Sequence, residues 1–194
     1  DGQLINLKRF IEDETKVLIL NKQAGIVCSM RDEKGRKSVF ELLPKNTRWI
    51  MVGRLDLTTS GLLLFTNNGE LANRLMHPSS ELDREYAVRV LGKVDKEDIN
   101  KLTSGIRLED GMAKFHRVTM GGGTGANRWY RVVLREGKKR EVRRLWEALG
   151  FKVSRLIRIR FGDIRLPENL HANQLEYLKP RQVKALLNIA NIKE

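Results

Sequence analysis

Cysteine occurs once in these 194 residues and histidine three times, and internal repeats and low-complexity tracts are missing. The lone Cys28 excludes an internal disulfide framework. With no cationic-then-apolar leader opening at Asp1, a reducing, cytoplasmic setting is expected. His77, His116 and His171 are scattered, so together with one cysteine they cannot supply the clustered ligands of a structural zinc site, and no metal is expected. The longest apolar stretches, such as Leu62-Leu63-Leu64-Phe65, fall far short of the ~20 residues that a spanning helix needs, which excludes a transmembrane helix.

What the chain has in excess is positive charge: 37 Lys plus Arg against 24 Asp plus Glu, a formal net charge of +13 and a pI of about 10.1. Its hydrophobic fraction of 41% is too high for a disordered basic tail and sufficient for a core. A folded basic protein of this size points to nucleic acid as partner. A membrane surface would attract the same charge, but the chain has no amphipathic basic helix with aromatic anchors.

Strand signals run through Val17-Leu18-Ile19-Leu20, Trp49-Ile50-Met51-Val52 and Leu62 to Thr66. Leu71, Ala72, Leu75 and Met76 have helical spacing, with Asn68 as candidate cap and Pro78 as stop. From Glu85 to Leu91 the pattern alternates, placing Tyr86, Val88 and Val90 on one face and Ala87, Arg89 and Leu91 on the other. Asp95 and Asp98 read as an acidic capping pair for a helix closed by Gly105. Asp110-Gly111 reads as a tight hairpin leading into a strand over Phe115 to Met120. Arg128 to Arg135 is a further strand, and Val142, Leu145, Trp146 and Leu149 mark a helix ended by Gly150. Val153 to Ile164 is expected as one strand, and Pro180, Val183, Leu186 and Leu187 as a terminal helix. Strands joined by short turns with irregularly interspersed helices predict an α+β fold around a mixed, mostly antiparallel sheet flanked by helices and loops, not a Rossmann or P-loop core.

Two features could carry chemistry. Gly121-Gly122-Gly123-Thr124-Gly125 lacks the Gly-Lys-Ser/Thr ending and following helix of a phosphate-binding loop, and reads as a hairpin tip. The stretch 135 to 144 holds six cations against Glu136 and Glu141, and Arg158 and Arg160 are expected to project together from one strand face. So many cations exceed their local acids, which predicts contact with phosphates. Asp56, in Gly53-Arg54-Leu55-Asp56, follows a strand and precedes a polar loop. By itself it reads first as a turn residue, an Asx-turn or a helix cap, although loops between strands are also where catalytic groups are placed.

Several segments together carry a resemblance. Gly53-Arg54-Leu55-Asp56 with Gly61-Leu62-Leu63, Leu20-Asn21-Lys22 with Gly25, Glu85-Tyr86-Ala87-Val88, and Glu136 to Arg144 resemble, in order and spacing, the motifs of RNA pseudouridine synthases of the RsuA/RluB family. Asn67 to Arg74, Trp129-Tyr130 and Ser154 to Ile159 are similar to the branch that modifies large-subunit (23S) ribosomal RNA. The resemblance covers residues 17 to 170 and implies isomerisation of a uridine already in RNA, without cofactor. Asp56 would be the essential carboxylate, as nucleophile at C1′ or as base for a glycal route, and Arg143 its cationic partner. Tyr86 would be catalytic too, stacking on the flipped base and taking part in the proton transfer from C5, with Val142 beside the uracil and Arg54 filling or bracing the RNA stack. Lys22, Lys138, Lys139, Arg140, Arg144, Arg158 and Arg160 are the expected RNA-binding cations.

Gln23 stands where the early motif usually has proline. The chain opens where family members usually finish a small S4-type RNA-binding domain. Residues 1–16 are therefore expected as a linker from that domain, 17–179 as the catalytic domain and 180–194 as a C-terminal helix. A 23S ribosomal RNA stem-loop is the expected partner, with no obligate protein partner and a monomer by default. A non-catalytic ribosome-assembly RNA binder is the alternative, and a base-excising glycosidase is disfavoured because no second acid lies between Arg54 and Gly69 apart from Asp56.

Overall fold

The run Gly61 to Phe65 is apolar at every position because the strand it forms, β3 (Ser60–Thr66), is covered on both faces. One face puts Leu62 and Leu64, with Val17 and Ile19 of β1 (Val17–Lys22), against the helices α1 (Gly69–Met76) and α4 (Pro180–Ile189). The other puts Leu63 and Phe65, with Leu18 and Leu20, against Val39, Leu43 and Trp49 from the segment that leads to β2 (Ile50–Val52). The computed structural model describes residues 14–192, so most of the expected linker at 1–16 lies outside the described residues.

A second core forms in the following half. Val88 and Val90 of β4 (Arg84–Leu91) and Tyr130 and Val132 of β8 (Asn127–Leu134) pack against Leu145 and Trp146 of α3 (Glu141–Ala148). Leu102 of α2 (Lys96–Ser104) closes this core from the side, its helix begun by the reciprocal Asp95–Asp98 capping box. A small hairpin, β5 (Ile106–Leu108) and β6 (Gly111–Ala113), stands apart from the main sheet.

The halves are joined through β9 (Lys152–Phe161). In the nine-stranded sheet the order is β11 (Leu175–Tyr177), β1, β3, β9, β4, β8, β7 (Arg117–Gly122), with β2 on β3 and β10 (Ile164–Arg165) on β9. Every pairing is antiparallel except the short β3–β9 contact, where Ser60 faces Ile157 and Gly61 faces Arg158. The architecture is the α+β, mostly antiparallel one expected. Among the described residues no helix is long and apolar enough to cross a membrane.

Three local expectations differ from the structure. Val153 to Ile164 is not one strand: the chain turns at Gly162, whose φ of +55° suits glycine, and Ile164 pairs back on Phe161. The partner arm of the Asp110 hairpin is Gly111–Ala113, while the strand after it starts at Arg117 and pairs with β8. β11 was not anticipated because three residues carry no period, and only docking on β1 makes them a strand.

Gly61 fixes the joint. Its φ is +103°, and a Cβ there would collide with the Arg158 carbonyl oxygen. Gly61→Ala is expected to cost about 2–3 kcal/mol of stability through strain and strand separation, read as a lowered urea midpoint. A parental midpoint would contradict the close approach.

Candidate active site

Between the two cores lies a cleft of about 1090 Å³. Asp56 reaches it from the loop between β2 and β3, Tyr86 from β4, Val142 from the start of α3, and Leu156, Arg158 and Phe161 from β9. The turn between β8 and α3 supplies Arg135, Lys138, Lys139 and Arg140, and Arg54 and Arg84 add further cations, against Asp56, Glu136 and Glu141. The cleft is therefore strongly cationic with an apolar, aromatic-bearing floor. This combination accommodates a flat base attached to phosphates.

The loop that carries Asp56 is held from both sides. From β1, the fully buried Lys22 sends its Nζ to the carbonyls of Asp56 (3.2 Å), Leu57 (3.4 Å) and Thr59 (2.8 Å), and to that of Gln23 (3.1 Å). From α3, Arg143 donates Nη2 to the Thr58 carbonyl (3.1 Å) and Nη1 to the Val153 carbonyl (3.2 Å). Four successive carbonyls, 56 through 59, are thus fixed by two cations from different halves of the fold. The hydrogen bonds engage the backbone and leave the half-buried Asp56 side chain lining the cleft.

Both cations feel Asp56. Burial pushes the Arg143 guanidinium below the usual arginine range and the Arg140 charge adds to this, while the Asp56 charge opposes it. Burial likewise lowers the Lys22 ammonium, opposed by Cys28 and Asp56. Arg143 reaches the Asp56 loop through the Thr58 carbonyl, and among the described residues it does not form the direct ion pair with Asp56 that the motif alignment leads one to expect. Tyr86 is half-buried, Val142 is 4% exposed and Arg54 is exposed at the rim.

The expected RNA-binding cations divide into two groups. Lys22 is enclosed, and its hydrogen bonds are spent on carbonyls, so it offers no charge to a phosphate. Arg160 does not project with Arg158 from a free face. It is paired with Glu85 (2.7 Å) and Asp83 (3.4 Å) and donates to the Gly162 carbonyl. A bulge opposite Glu85 and Tyr86 turns the two arginines to different sides. Arg158 is 2% exposed on the cleft floor, its Nε bonded to the Leu62 carbonyl and its guanidinium over Phe161. One of its nitrogens, Nη2, has no protein partner.

Arg144 holds Asp110 with two hydrogen bonds, Lys138 meets Glu136, and Arg140 comes within 3.9 Å of Glu147, whereas Lys139 is exposed. The turn's cations are thus better paired than its own two acids allow, because Asp83 and Asp110 arrive from elsewhere in the chain. Exposed pairs of this kind contribute only ~0–1 kcal/mol, so phosphates can displace the carboxylates.

Two cleft residues escaped the sequence reading. Arg84 stacks on Phe161 and bonds the Arg135 carbonyl, signalled only by its place two residues before Tyr86. Glu141 is 2% exposed, accepts from the Lys138 backbone N–H, and leaves Oε1 without a partner. Burial pushes its carboxyl above the usual range, against the Lys138 hydrogen bond. A carboxyl raised on folding stabilises fully below its unfolded value and loses that contribution as pH rises through the folded value. The stability advantage of Glu141→Gln over the parent should therefore grow as pH rises across that window, and parallel urea midpoints at all pH values would refute it. Lys22→Met should lower stability by about 2–3 kcal/mol by stripping a set of carbonyls of their donor, measured by urea unfolding.

A family model described as RNA pseudouridylate synthase matches residues 16–148. Ribosomal large subunit pseudouridine synthase B of Salmonella typhi is 51% identical over 97% of this chain and 67% of its own length. The protein of the same name from Yersinia pestis is 56% identical over 88% of this chain and 54% of its own, so the chain spans little more than half of that relative. A crystal structure titled pseudouridylate synthase superposes with a TM-score of 0.78 at 26% identity, covering 89% of this chain and 74% of that one. The match over most of the chain establishes that the chain belongs to the RNA pseudouridylate synthase family.

Proposed function

We propose that this chain isomerises a uridine of large-subunit (23S) ribosomal RNA to pseudouridine, with the base flipped out of its stack into the cleft. The C1′–N1 bond breaks, the uracil turns within the site, and C5 bonds to C1′. N1 gains a proton as C5 loses one, so no cofactor or redox partner enters the balance. The observation that carries this reading is Asp56 on a doubly pinned loop, lining the same cleft as Tyr86, Val142 and the cationic turn.

Asp56 is the catalytic residue. Its carboxylate either attacks C1′ or removes the sugar proton that opens a glycal route, and both tasks require it fixed beside the ribose. Arg143 and Lys22 are positioning residues that hold the loop by its carbonyls. Tyr86 stacks on the extruded base, worth about 1–3 kcal/mol for a contact of this kind. Val142 bounds the uracil on the apolar side. Arg54, Lys138, Lys139, Arg140 and Arg144 meet phosphates around the cleft mouth, Arg54 being placed to occupy the gap the uridine leaves. The names of the relatives support large-subunit ribosomal RNA as substrate.

The decisive assay uses unmodified 23S ribosomal RNA and its fragments with tritium at uridine C5, scoring release to water and pseudouridine by nuclease digestion and chromatography. The chain should release label, and Asp56→Asn should lower release by roughly a thousandfold or more while RNA affinity stays within about twofold. RNA binding without release from any fragment would put the ribosome-assembly binder in its place.

A further inference from the structure

On the face of the second half-sheet turned away from Tyr86, the rows through Ala87, Arg89 and Leu91 are open, whereas the row through Glu85 and Val133 is covered. Along β4 the side chains alternate, so Arg89 lies opposite to Tyr86 and Val88. The register puts Trp129 of β8 and Arg155 of β9 beside Arg89 in one row. Arg131 of β8 lies one row further along, beside Ala87. Arg117 of β7 and Lys152 of β9 stand on the same face, opposite Val133 and Leu91. Arg117, Arg131, Lys152 and Arg155 are exposed, and Arg89 and Trp129 are half-exposed.

Charge in these rows lacks the compensation found elsewhere. Arg135 at the cleft, Arg144 beside it and Arg160, next to Glu85 at the covered end of this face, each have a carboxylate, but among the described residues none of the five cations named above lies within ion-pair distance of one. Arg89 donates only its Nε, to the Ser154 hydroxyl at 2.9 Å. Arg89 and Arg155 are moreover direct cross-strand neighbours, a pairing of like charges that disfavours the folded sheet, and Arg131 lies diagonally about 7–8 Å away. A surface of arginines around one aromatic ring fits the phosphates and bases of RNA.

We propose that this open sheet face is a second RNA-binding surface, occupied by a part of the substrate RNA remote from the uridine in the cleft. It rests on the reading that RNA is the substrate and adds that the molecule is gripped on two opposite sides. A minimal stem-loop that fills the cleft is too short to wrap around to it, whereas a domain-length fragment reaches both surfaces. Each phosphate neutralised here adds to the salt dependence of binding.

The test compares the chain with a triple variant, Arg89→Gln, Arg131→Gln and Arg155→Gln. Affinity is measured by filter binding over a range of salt, for domain-length 23S ribosomal RNA fragments and for the shortest stem-loop that still supports tritium release. The triple variant should bind the long fragment roughly tenfold or more weakly, with a salt slope smaller by about two, and should keep parental affinity and release on the stem-loop. Replacing the same three residues by Lys should restore most of the slope. Should the triple variant not fold, Arg131→Gln and Arg155→Gln singly carry the same comparison, each with a slope smaller by about 0.7. Parental affinity and slope on the long fragment, while the parent releases label, would overturn this surface alone. Failure of the parent to bind any RNA would overturn both this surface and the proposed activity.

Discussion

A two-residue parallel contact between β3 and β9 is the constraint on which the site depends. Each half of the molecule has its own core, and the strands that meet at this contact bring Asp56 from one half and Tyr86, Val142 and Arg158 from the other to one cleft. Backbone must approach backbone more closely there than any side chain permits, which is why Gly61 stands at the crossing. The Arg158 Nε bonded to the Leu62 carbonyl reinforces the same seam from within.

The pinned loop shows how buried charge serves positioning. Lys22 and Arg143 are expensive to bury, and the whole of their hydrogen bonding described here goes to backbone carbonyls, four of them consecutive. A carbonyl cage rather than a carboxylate partner leaves Asp56 itself uncommitted to a structural ion pair. The position of the residue is then set by the fold, at the lining of the cleft.

Much of this was legible in the sequence, because periods and motif spacings are local properties. The strand alternation around Tyr86, the Asn68 and Asp95 caps and the α3 stripe follow from neighbours within a few residues. The cations were read less well, because their partners are distant in sequence. Nothing near Arg135 or Arg144 announces Asp83 or Asp110, and nothing in Leu20-Asn21-Lys22 reveals that the ammonium turns inward. The bulge that separates Arg158 from Arg160 is invisible to a strict two-residue alternation. The open cationic face emerged only once register aligned Trp129, Arg89 and Arg155 across three strands.

The two ends of the sheet govern how copies of the molecule treat one another in concentrated solution. An unpaired strand edge invites another chain to extend the sheet, and a long flat one would lead to aggregation. β11 offers only three residues. β7 carries Arg117 and runs into Gly122 and Gly123, whose φ values of +101° and +111° turn the backbone out of extended geometry. Shortness at one edge, and charge and curvature at the other, disfavour edge-to-edge pairing of copies.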